Sequence, residues 1–270
     1  MTRPEVCVSI EGNTLEEILQ EAGVATLAGA DILEVSFDRL YLQRIDPEPV
    51  EVEEGERAPP PAEPEFLPID VSEIDVGAAI EQLKAAIQLP VIFTCRSKDE
   101  GGYFPASEDQ RLGVLSAAIE SGVSWIDLEL AIEKKERKKL TKAAADKGTR
   151  IIASHHDTSG TPSKDEIIEM VDSNTGNGDI VKLCFRTNDQ HDGMEIVQAC
   201  WELRGSGSAM SLMGLGPSGD WTRLHAPLLA QTLVYATLQS DFHLSKKGLV
   251  NVRDLRDAWD LLDYPSPAAS

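Results

Sequence analysis

DIVKLCF, residues 179–185, decides how the rest of the chain is read. Ile180, Val181, Leu183, Cys184 and Phe185 describe a strand that is apolar on both faces, as in parallel sheets covered by helices. Lys182 stands at its centre, where an ammonium is costly unless it is paired or neutralised. Seven further runs share this β-branched, apolar character: VCVSI (6–10), DILEVSF (31–37), PVIFTC (90–95), WIDLEL (125–130), RIIASHH (150–156), AMSLMGL (209–215) and LVYATL (233–238). Segments with helical spacing lie between them, such as VGAAIEQLKAAIQL and EDQRLGVLSAAIESG. Eight strands alternating with helices predict an α/β fold, a single (β/α)8 TIM barrel over residues 1–270. An open doubly wound sheet is the alternative, but no GxGxxG follows the first strand.

One stretch breaks this rhythm. Residues 46–65, DPEPVEVEEGERAPPPAEPE, carry six prolines and eight acids against one arginine. Such a composition builds neither a core nor a regular ladder, so it predicts a flexible insertion loop after the second strand. The whole chain is acidic, with 46 acids, 25 bases and a formal charge of −21. That charge argues against nucleic acid and anionic membranes as partners, because both attract basic patches. No run of about 18 apolar residues occurs and no secretory leader is visible, so the expected location is the cytoplasm. Cys7, Cys95, Cys184 and Cys200 are widely spaced without metal-ligand patterning, and they read as buried, inert thiols rather than a metal site.

Alternation along each strand separates helix-facing from interior residues. The interior set includes Glu34, Ser36, Arg96, Asp127, Glu129, His156 and Lys182. One buried charge is commonly a satisfied structural pair. Six charged or titratable side chains on five strands, most of them late in the strand, point instead to an active site at the C-terminal mouth. A desolvated lysine has a lowered pKa, so part of it is neutral and adds to a ketone to form an imine. A nearby imidazole then removes and returns protons, and a carboxylate beside it orients the ring. Lys182, His156 and Glu100 suit imine-based elimination or aldol chemistry.

In this order and spacing the residues resemble the type I 3-dehydroquinate dehydratase family of class I aldolase-like barrels. FTCRSKDEGG (93–102) is similar to the family's FTxRxxxEGG motif, SHHDTSGTP (154–162) to SxHDFxxTP, and DIVKL (179–183) to its Schiff-base lysine motif. DILEVSFD (31–38), WIDLEL (125–130), MGLGPSGDWTR (213–223) and GLVNVRDLR (248–256) resemble further family motifs. The resemblance implies Lys182 as the Schiff-base lysine, His156 as general acid and base, and Glu100 as the residue that orients His156. It implies Glu34, Arg96, Ser36 and Ser245 at the substrate, with Arg223 on its carboxylate. The implied reaction converts 3-dehydroquinate to 3-dehydroshikimate by loss of water, in the shikimate pathway of aromatic amino acid biosynthesis. No cofactor or metal is implied, and the expected assembly is a homodimer.

Two positions depart from the family pattern. Ser36 stands where the family usually carries arginine, and Leu249 where it carries glutamine. Each lost polar contact weakens binding by about 1–3 kcal/mol. The alternatives are a diverged imine-forming lyase or aldolase for another β-hydroxy ketone, or a catalytically silent metabolite-binding barrel.

Overall fold

The computed structural model describes residues 3–47, 64–240 and 244–264, the side chain of Ser245 excepted. In chain order the elements are β1 (Glu5–Ile10), α1 (Leu15–Ala28), β2 (Ile32–Ser36), β3 (Leu42–Ile45), β4 (Glu65–Pro68), α2 (Val76–Ala86), β5 (Val91–Thr94), α3 (Glu108–Glu120) and β6 (Trp125–Glu129). They continue with α4 (Lys134–Lys147), β7 (Arg150–Asp157), α5 (Lys164–Asn174), β8 (Ile180–Arg186), α6 (Gln190–Leu203), β9 (Met210–Leu215), α7 (Trp221–Leu224), β10 (Leu233–Ala236) and α8 (Val252–Leu261). All eight expected strands are present, with ends displaced by at most two residues.

Eight strands form one sheet in the order β10-β1-β2-β5-β6-β7-β8-β9, every neighbouring pair parallel. No ladder joins β9 to β10, and a different device draws the barrel together there. The Thr232 N–H donates to the Met210 carbonyl at 2.9 Å. The Gln231 side chain acts as a short stand-in for a strand: its Nε2 donates to Leu212 O at 2.8 Å and its Oε1 accepts from Leu212 N at 2.9 Å. These bonds satisfy backbone groups that an open edge would leave unpaired.

The expected alternation holds. Leu33, Val35 and Phe37 join the layer between sheet and helices, as do Val181, Leu183 and Phe185. Cys7, Ile32, Ile92, Trp125, Ile152 and Ile180 fill the barrel floor. Each large apolar side chain so buried contributes about 1.5–3 kcal/mol. A floor packed this way leaves open space only beyond it, toward the C-terminal strand ends. The four cysteines are free and buried, and burial pushes the Cys7, Cys95, Cys184 and Cys200 thiols up, away from the reactive thiolate.

The acidic insertion needs a boundary correction. Its flanks pair as an antiparallel hairpin, β3 with β4, in which Ile45 faces Glu65. Glu65 therefore belongs to a strand, and residues 48–63 lie outside the described residues. Among the described residues no helix is long and apolar enough to cross a membrane.

Candidate active site

At the C-terminal mouth is a cavity of about 370 Å3, lined by Ser9, Glu34, Ser36, Arg96, His156, Lys182, Arg223, Tyr235 and Leu249 among others. Lys182, inward in mid-β8, is 2 % exposed. Its Nζ donates to Glu34 Oε2 at 2.7 Å and to Asp127 Oδ2 at 3.3 Å. Its ammonium also lies 4.3 Å from the centre of the Tyr235 ring. Burial alone would push Lys182 down, and the sequence argues for a partly neutral amine on that ground. The carboxylates of Glu34 and Asp127 more than offset burial and hold the lysine above its ordinary value. The resting group is a buried, doubly paired ammonium.

Glu34 is the hub of this network. Burial opposes its charge, but Lys182 and Arg96 outweigh that effect and keep it below the usual carboxylate range. Arg96 Nη2 lies 3.4 Å from Glu34 Oε1, and the Tyr235 hydroxyl donates to Glu34 Oε2 at 2.7 Å. Asp127 accepts at Oδ1 from the Ser154 hydroxyl on neighbouring β7. Asp127 belongs to the expected interior set, whereas Tyr235 and the Ser154 hydroxyl that braces Asp127 are not among the expected site residues. Alternation places Tyr235 inside, two residues beyond the floor residue Leu233, so the signal was present in LVYATL.

His156, near the end of β7, is held by Glu100 through two bonds to one oxygen. Glu100 Oε2 accepts from the His156 backbone N–H at 2.9 Å and lies 2.9 Å from Nδ1. Burial, followed by the nearby positive charges of Arg96, Lys182 and His155, pushes the imidazole well below its ordinary value. A neutral ring that donates Nδ1–H to Glu100 leaves its Nε2 lone pair as the base. The other oxygen, Glu100 Oε1, is buried and has no hydrogen-bond partner among the described residues. His155 Nδ1 lies 3.6 Å from it, within ion-pair range but beyond a hydrogen bond, and Glu100 raises His155 above its ordinary value.

The loop that carries Glu100 needs its glycines. Gly101 has φ +85°, and a Cβ on Gly102 would lie 2.2 Å from the Arg96 carbonyl oxygen. Asp38 staples this loop from the opposite side. It accepts from Arg96 N at 3.1 Å and from Tyr103 N at 3.0 Å. Burial raises Asp38 despite the opposing Arg96 charge. The aspartate is visible in DILEVSFD, but its partners lie more than fifty residues away.

One expected residue is placed differently, and one lies outside the described residues. Glu129 faces inward by alternation, yet it turns away from the cavity: Oε2 pairs with Arg111 of α3 at 2.8 Å, and Oε1 accepts from Ser97 N at 2.8 Å. Burial pushes it up to about 7 against the pull of Arg111. It supports the β5 loop and does not line the cavity. The Ser245 side chain lies outside the described residues. Arg223 does line the cavity, fully buried. Its Nε donates to Tyr235 O at 2.9 Å and its Nη1 to the carbonyls of Gly214 and Gly219, both at 2.8 Å. Its Nη2 has no partner among the described residues, and burial lowers its proton affinity. Ser36 and Leu249 also line the cavity. Among the described residues no cluster of three or more His, Cys, Asp or Glu side chains is arranged to hold a metal.

Comparisons with known proteins identify the family and the fold. The 3-dehydroquinate dehydratase of Methanosarcina acetivorans is 28% identical over 251 residues, covering 92% of this chain and 92% of its own. That of Methanocaldococcus jannaschii is 31% identical over 185 residues, covering 68% of this chain and 81% of its own. Among solved structures, the type I 3-dehydroquinate dehydratase of Clostridium difficile superposes with a TM-score of 0.78 at 23% identity, over 97% of this chain and 93% of its own. At that identity the superposition establishes the barrel fold. The profile of type I 3-dehydroquinases matches residues 6–264, nearly the full length. The chain belongs to the type I 3-dehydroquinase family.

Proposed function

We propose that this chain dehydrates 3-dehydroquinate to 3-dehydroshikimate through an imine on Lys182. The observation that carries the reading is a buried lysine sharing one cavity with a neutral histidine whose Nδ1 is fixed on Glu100. For addition to a ketone, Lys182 must first release a proton, and Glu34 Oε2 at 2.7 Å is the nearest acceptor. The neutral amine adds to the carbonyl carbon, and loss of water gives the imine. Protonated, the imine withdraws electrons from the adjacent carbon and acidifies its C–H. The Nε2 lone pair of His156 takes that proton, and the imidazolium so formed is stabilised by Glu100. The same proton then passes to the departing hydroxyl, which leaves as water. Hydrolysis of the conjugated imine frees the product and the amine.

Arg223, with Nη2 unpartnered, is suited to the substrate carboxylate. Arg96 and Glu34 would meet substrate hydroxyls, with Ser36 as a further contact; the contact expected from Ser245 involves a side chain outside the described residues. The chain would act as one barrel domain without a cofactor. The same reading makes it a cytoplasmic homodimer, and sedimentation of the purified protein checks the dimer. Borohydride reduction in the presence of 3-dehydroquinate, read by mass spectrometry, tests the mechanism. A stable adduct on Lys182 and no turnover by Lys182→Ala are expected. An adduct with other β-hydroxy ketones alone would establish the diverged lyase instead, and robust turnover by Lys182→Ala would exclude the imine.

A further inference from the structure

The cavity cations are unequally engaged. Lys182 is paired with two carboxylates, Arg96 with Glu34, and Arg223 with three carbonyls. A fourth cation, Arg39, lines the same cavity three residues beyond Ser36. It is half-buried, and its Nε donates to the Glu11 carbonyl at 2.6 Å. Its guanidinium carbon lies 5.2 Å from the centre of the Tyr103 ring and 5.9 Å from that of Phe66. Neither Nη nitrogen has a partner among the described residues, and no carboxylate there pairs with it.

These contacts come from three separate segments. Glu11 follows β1. Tyr103 belongs to the Gly101–Gly102 loop that Asp38 staples, and Phe66 to β4 of the hairpin. A guanidinium held within cation–π range of two rings keeps its planar fork oriented and loses little freedom when it binds an oxygen. A surface arginine that merely covered apolar area would not need to line the cavity or be braced from three sides. The wall it borders is short of positive charge, because Ser36 offers only a hydroxyl beside the acids Glu11, Glu34 and Asp38. In a chain of net charge −21, an anionic substrate depends on local cations at the mouth.

We propose that Arg39 is a specificity-determining residue that holds a substrate hydroxyl at the outer rim of the cavity, and that Phe66 of the hairpin positions it. This rests on the dehydratase reading above. It also gives the hairpin beside the acidic insertion a part in the active site.

Steady-state kinetics of the full chain on 3-dehydroquinate, with borohydride trapping of Lys182 run in parallel, test the assignment. Arg39→Ala is expected to raise KM about 10- to 100-fold, the loss of one charge-assisted hydrogen bond, with kcat within about threefold. Arg39→Lys recovers only part of the loss, because an ammonium lacks the fork. Phe66→Ala raises KM severalfold with kcat retained. Ser36→Arg, placed in the Arg39→Ala background, recovers KM by supplying the cation from β2. An Arg39→Ala enzyme with unchanged KM, or with a fall confined to kcat, overturns the assignment while wild-type turnover and trapping leave the dehydratase reading in place. A wild-type chain that neither turns over nor traps 3-dehydroquinate overturns both.

Discussion

Replacing Asp127 by asparagine isolates one of the two charges that hold Lys182. Asp127 Oδ2 lies 3.3 Å from Lys182 Nζ, while Oδ1 accepts from Ser154. Asparagine keeps the shape and can still accept from Ser154, but it turns an amide against the ammonium. At 3.3 Å with an effective dielectric of about 20, the bare attraction is on the order of 5 kcal/mol. Relaxation and the remaining Glu34, 2.7 Å away, reduce the net effect to the usual range for one nearby opposite charge, about 1–3 pKa units or roughly 1.4–4 kcal/mol. Burial, which already opposes the Lys182 charge, then weighs more heavily. The limb of the kcat/KM profile that reports the amine should move to lower pH by about 1–3 units, and the pH dependence of borohydride trapping on Lys182 should move with it. An amine limb at the wild-type position would refute the claim that Asp127 holds the charge. Stability supplies a second readout. The folded value of Lys182 is raised, so its contribution is fully present below about pH 10.4 and is lost as pH climbs through the folded value. The wild-type advantage in Tm over Asp127→Asn should therefore persist through neutral pH and shrink above about pH 10.4.

Two further outcomes follow from the Glu100 pairings. Glu100→Gln removes the negative charge that steadies the imidazolium of His156, so kcat should fall about 10²- to 10⁴-fold while borohydride still traps the Lys182 imine; rate and trapping measured on one preparation check this. His155→Phe should delete a titration from the stability profile. Glu100 raises His155, so its contribution is present below about pH 6.5 and is lost as pH rises through the raised folded value. Tm measured across that window should show the step in wild type and not in the variant, and an identical step in both would remove His155 from the account.

The barrel was legible because its strands are buried on both faces and separated by helix-period segments. DIVKLCF shows this best: Val181, Leu183 and Phe185 pack against the helices, while Ile180, Lys182 and Cys184 point inward. Alternation gives the side on which a residue lies but not how far its side chain reaches. Glu129 is the clearest case, since its partner Arg111 sits on a helix read only for its apolar positions. Asp38 and Tyr235 were missed for a related reason. Their roles depend on partners remote in the chain, the backbone of Arg96 and Tyr103 for one and the Glu34 carboxylate for the other. The Gln231 bridge that draws the barrel together has no sequence signature at all, because a side-chain amide there replaces a backbone ladder.

The protonation state of Lys182 shows most clearly what burial alone cannot decide. A lone buried amine loses its proton, and that logic makes a good nucleophile from an isolated lysine. Here Glu34 and Asp127 reverse the sign, which at first counts against imine chemistry. The objection fails once charge is followed through the reaction. The protonated imine carries its positive charge on the same nitrogen, so the two carboxylates that hold the resting ammonium also stabilise the iminium. The neutral amine is needed only during addition, when Glu34 can hold the proton at 2.7 Å. A network that keeps one positive charge in place before and after the imine forms requires little reorganisation between those states, the condition under which fixed charges favour an intermediate most. On the proposed reading, the remaining demand is to bring an anionic substrate into an acidic protein, and it would fall on the cations whose nitrogens have no partner among the described residues, Arg223 within the cavity and Arg39 at its rim.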